Sequence, residues 1–111
     1  MTVGPSAEPQ TDDPIPALIG AAFDAAREQP TLERLVEIDK LLREEIARLS
    51  TTATALAEHR SVRSRGWYAL VNAVDRADYT LTFQNREGLA GALNVAELAR
   101  RVTELRQVTN S

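Results

Sequence analysis

A chain of 111 residues holds one compact domain and is too short for two independent cores. Its 43% hydrophobic and 26% charged residues are the balance of a globular protein, 5% aromatics leave the core to Leu, Val, Ile and Ala, and the absence of cysteine excludes disulfide, thiolate-metal and cysteine-nucleophile chemistry. The net charge of −3 argues against a general affinity for nucleic acid or anionic membranes, which needs a basic surface field.

The opening stretch, Met1 to Asp13, carries Gly4, Pro5 and Pro9 with hardly a bulky apolar group. It cannot bury enough surface to offset its ordering entropy, so it reads as a flexible tail. It has neither a basic region nor an apolar run, so no signal peptide is expected. No apolar run approaches the ~18–20 residues of a membrane span, and a cytoplasmic location is expected.

The first helix is expected to begin at Pro14 or Pro16, with Asp13 as N-cap, and to stop before Pro30. Ile15, Leu18, Ile19, Ala22, Phe23 and Ala26 form one apolar stripe at helical period. Thr31 reads as the N-cap of a second helix reaching Glu58 or Arg60. At roughly 28 residues it would span about 42 Å. Leu35, Leu42, Leu49 and Leu56 recur every seven residues along it. Asp39–Arg43 and Glu44–Arg48 are stabilising i,i+4 pairs, whereas the run Ser50 to Thr54 lowers helix propensity and invites a bend.

Ser61 to Gly66 is a polar connection, with Ser61 or Ser64 as the cap of a third helix. Trp67, Leu70, Val71, Val74, Ala77 and Leu81 share a face of that helix, which should fade near Phe83 ahead of the polar loop Gln84 to Gly88. Val95, Leu98, Ala99, Val102 and Leu105 anchor a fourth helix. Asn94 to Glu97 has capping-box spacing, and an earlier start near Leu89 is the alternative. The chain ends in polar residues 109–111. Short connections between four sequential helices predict an all-α, up-down bundle over residues 14–108, with a short first helix and a long second one.

Candidate chemistry is sparse. His59 is the single histidine and no nucleophile-elbow pattern surrounds Ser61 or Ser64. No paired Glu-x-x-His motif or phosphate-binding glycine loop occurs, so no cofactor or metal is expected. Asp75 and Asp78, three apart on a helix, read as hydrated surface; with His59 and Trp67 they are all that an enzyme or ligand-binding reading has to rest on. The companion heptad positions to the leucines, Glu45, Thr52 and His59, are too polar for a coiled-coil seam.

Two binding surfaces suggest themselves. Ile38 and Leu41 give the second helix an extra apolar edge, and Tyr68, Tyr79 and Phe83 fall off the main stripe of the third; leftover apolar surface of this kind marks a contact with a protein partner or a second copy. Arg60, Arg63 and Arg65, just before Trp67 and Tyr68, form the densest basic cluster and offer phosphate contacts as the alternative; Arg100, Arg101 and Arg106 form another. The chain therefore reads as a non-enzymatic helical interaction module, with a nucleic-acid-associated regulator as the second reading.

Twelve of the thirteen basic residues are arginine, and alanine abounds, a pairing typical of high-GC bacterial genomes. Residues 37–108 include Leu-Leu-Arg-x-x-Ile-x-x-Leu at Leu41 to Leu49 and Ala-Leu-Ala at Ala55 to Ala57. They continue with Ala69-Leu70-Val71, Asp75-Arg76-Ala77, Gly88-Leu89 and Ala96 to Val102. This set resembles a family of small actinobacterial helical proteins known only as a domain of unknown function. The resemblance implies helices and a bacterial origin, and it transfers no catalytic residue.

Overall fold

The computed structural model describes residues 13–82 and 88–110, all in four helices and their connections. These are α1 (Ile15–Glu28), α2 (Leu32–Glu58), α3 (Arg65–Thr80) and α4 (Gly88–Thr109). The expected tail through residue 12, Phe83 and the loop 84–87 lie outside the described residues.

Local chemistry sets the helix ends. Thr31 caps α2, its Oγ1 accepting from the Arg34 N–H at 3.1 Å. Asp13 does not cap α1 from the N-cap position, which Pro14 occupies, but its Oδ1 accepts from the Ile15 N–H at 3.1 Å. At the other end of α1, Gln29 takes a left-handed conformation (φ 50°) and its N–H closes onto the Ala25 carbonyl at 2.9 Å. The hydroxyl run in α2 does not interrupt it. Thr51 and Thr52 return their Oγ1 groups to the carbonyls of Ala47 and Arg48, and the helix continues through.

Cross-contacts give the topology. Arg43 of α2 reaches the Leu81 carbonyl at 2.7 Å, and Arg76 of α3 pairs with Glu104 of α4, so successive helices run antiparallel. Asp39 meets Asn94, and Thr52 shares a surface cleft with Thr109, so α2 and α4 run parallel. The bundle is therefore up-down, with a distorted cross-section. Helix α4 packs on all three others and most extensively on α2, whereas α1 and α3 do not touch. Most of the large core residues sit on this central pair, Leu35, Ile38, Leu42, Ile46 and Leu49 on α2 and Val95, Leu98, Val102 and Leu105 on α4; Leu18 of α1 and Leu70 of α3 join them. The outer helices turn alanines inward, Ala22 and Ala25 from α1 and Ala73 and Ala77 from α3. Small side chains let an outer backbone settle close against a bulky ridge, which fills space at interior density.

Three expectations are corrected here. Phe23 (45% exposed) and Ala26 lie outside the α1 core arc, which centres on Leu18, Ala22 and Ala25. Asn94 is not a cap, because α4 begins six residues earlier; it is buried in mid-helix. Arg48 pairs with Glu45, three residues back, rather than with Glu44.

Candidate interaction surface

The α2–α3 connection is built without glycine or proline. Helix α2 closes with i→i−3 bonds, His59 N–H to Leu56 O and Arg60 N–H to Ala57 O, both 3.1 Å. Ser61 O accepts from the Ser64 N–H at 2.9 Å across a turn in which Arg63 adopts φ 70°. Ser64 then starts α3, its Oγ accepting from the Trp67 N–H at 3.2 Å. Thr52 is level with the end of α4, so Ala53 to Glu58 carry this hairpin about 9 Å further at 1.5 Å per residue. The tip projects.

Arg60, Arg63 and Arg65 are all exposed on this tip. Among the described residues they make no ion pair, and every described arginine elsewhere makes one. Arg27 meets Asp24 at 3.0 Å, Arg43 meets Asp39 at 2.9 Å, and Arg106 meets Asp13 at 2.8 Å. Arg34 pairs with Glu37, Arg48 with Glu45, and Arg76 with Glu104. The second basic cluster is paired in the same way, Arg100 with Glu97 and Arg101 with Glu97 and Glu104. The pairing has electrostatic consequences. Hydrogen bonds to Glu45 and Glu104 hold the Arg48 and Arg76 guanidiniums above their ordinary range, and the bond from Arg106 holds the Asp13 carboxyl below its own.

Three further features complete the tip. Val62 is 71% exposed. Trp67 is half-buried against the core and meets the exposed Tyr68 edge to face, ring centroids 5.1 Å apart. The Arg60 guanidinium lies so close over Gly66 that a Cβ there would come within 2.6 Å of its Nη1.

Of the apolar residues proposed for partner binding, Phe83 lies outside the described residues and the other four are spread over the core, a groove, the tip and α3. Ile38 is corrected outright: at 1% exposure it is core, because it falls on the α2 arc that faces α4. Leu41 lines a groove of about 490 Å³ between α1 and α2 with Pro14, Ile15, Ala17 and Leu18. Tyr68 is on the hairpin tip, and Tyr79 (69% exposed) sits on α3 beside Asp75 and Arg76, facing Glu97 and Arg101 of α4. His59 is exposed on the tip, and Asp75 and Asp78 are exposed on α3; no group of three metal-ligating side chains occurs among the described residues. No described helix is long and apolar enough to cross a membrane.

A buried polar junction escaped the sequence reading. Asp39, 3% exposed, accepts from Arg43 Nε at 2.9 Å and from Asn94 Nδ2 at 3.1 Å, while Arg43 Nη1 holds the Leu81 carbonyl. The Asp39–Arg43 spacing was visible, but nothing in it distinguished a buried pair from a surface one.

Comparison with protein-family models, curated proteins and solved structures gives no match for this chain.

Proposed function

We propose that this chain is a non-enzymatic helical interaction module that binds a protein partner through the tip of its α2–α3 hairpin. The division among its described arginines carries the reading: those on the body pair with acids of the chain, and the three on the projecting tip make no such pair. Unpaired guanidiniums beside an exposed valine and tyrosine match the composition of protein contact sites, where arginine and aromatic side chains are enriched. A photoreactive side chain at position 62, with one at exposed Thr54 as control, tests it in an extract of the host cell. Protein adducts should form at 62 only and vanish when Arg60, Arg63 and Arg65 become glutamine. Equal adducts at both positions, or adducts that survive the substitutions, contradict it.

Binding to a second copy is the homotypic form of this reading, and sedimentation of the pure protein decides it, since a strict monomer at high concentration removes it. Nucleic acid is the second reading, favoured by the same arginines standing next to the Trp67–Tyr68 pair. Anisotropy of labelled duplex and single strands at low salt tests it; no binding there removes it.

A further inference from the structure

We infer that the occupant of the hairpin tip is a short acidic segment of another protein that carries an apolar side chain, an inference that rests on the interaction-module reading above. Between Glu58 and Asp75 the chain has three arginines and no acid. The rest of the chain holds ten basic against sixteen acidic residues. The molecule is thus a locally basic tip on an acidic body. A ligand no longer than the tip gains the attraction alone, whereas an extended polyanion running on past it meets like charge.

The electrostatics of the hairpin reinforce the tip. Helix α3 has no acid in its first turn, so Arg65 adds to the positive end of that helix instead of offsetting it. Such an arrangement costs stability in the free protein and favours an incoming carboxylate. Guanidinium groups take carboxylates bidentately, and among the described residues no acid of the chain pairs with these three.

Val62 separates an acidic peptide from a phosphate backbone. It stands between Arg60 and Arg63, largely exposed to solvent on a turn closed by backbone bonds that need no apolar residue there. A phosphate backbone has nothing to bury against it. A peptide with one leucine or phenylalanine among its acids does.

The test is a titration of the isotopically labelled full chain, followed by NMR, with four probes. These are a synthetic Asp/Glu-rich peptide containing one leucine, the same peptide with serine for leucine, and single-stranded and duplex oligonucleotides of matched charge. The leucine peptide should perturb His59 to Tyr68 and bind about fivefold or more tightly than the serine peptide. Val62→Ser should abolish that preference. Substituting Arg60, Arg63 and Arg65 by glutamine should weaken the leucine peptide about tenfold. Equal affinity of the two peptides, or tighter binding of either oligonucleotide, overturns this inference while leaving the tip as a docking site. No perturbation of the tip by any probe at low salt overturns the interaction reading with it.

Discussion

Asp39 shows how much rests on one side chain in a small bundle. Its carboxylate is buried where α2 meets α4, and Arg43 supplies both the compensating charge and a bond to the last residue of the α3 region. Removing one member of such a pair leaves the other uncompensated in a poorly solvated place, which costs far more than the pair is worth. Arg43→Ala should lower the unfolding free energy by about 3 kcal/mol in a denaturant titration. Adding Asn94→Ala should cost less than its effect in the wild-type chain, because both donate to the same carboxylate. Strict additivity would show that they do not act as one unit. The tip arginines differ in kind: they make no ion pair among the described residues, so their loss strands no buried described charge.

At the scale of elements, hydrophobic period with proline and cap signals located all four helices; Thr31 marked the start of α2, and of the two serines offered for α3 the cap is Ser64. Helical spacing is a property of the chain, whereas which residues on an apolar edge become covered depends on where the neighbours stand. Ile38 and Leu41 illustrate this, three residues apart, one in the core and the other lining an open groove. Asn94 carried a capping signal because its spacing to Glu97 fits a cap; the need for a donor opposite Asp39 is a tertiary fact with no local signature. The arginine cluster was plain in the sequence, but its distinction from Arg100, Arg101 and Arg106 emerged only once Glu97, Glu104 and Asp13 were seen to pair with the latter. The inward alanines of α1 and α3 are equally a matter of fit. Ala77 is fully buried against the central pair, so Ala77→Leu should destabilise by about 1–3 kcal/mol through overpacking, read from the chemical unfolding midpoint. An unchanged midpoint would mean that α3 does not pack closely there.

At the scale of the whole molecule, α4 organises the fold, and α1 is tied to it at both ends: by the Asp13–Arg106 bond at one, and by Ala25 and Ala26 near Leu89 and Ala92 at the other. The pH dependence of the first tie has a definite sign. The Asp13 carboxyl is held below its ordinary value of 3.8 by the Arg106 hydrogen bond and then by the Ile15 N–H. A depressed carboxyl contributes stability that is present above the ordinary value and disappears as pH falls through the lowered one. Unfolding midpoints of wild type and Asp13→Asn should therefore differ at neutral pH and converge in acid; a gap that widened on acidification would contradict the assignment.

The central claim is that the described arginines of the body pair with acids of the chain, whereas Arg60, Arg63 and Arg65 at the projecting tip make no such pair among the described residues and are left for a partner. The most direct check is the unfolding free energy of the chain with all three replaced by glutamine, measured in denaturant without any ligand. The account predicts wild-type stability to within about 0.5 kcal/mol, or a slight gain as Arg65 leaves the positive end of α3. A loss on the scale expected for Arg43→Ala would show that these guanidiniums hold the fold together, and the claim would fail.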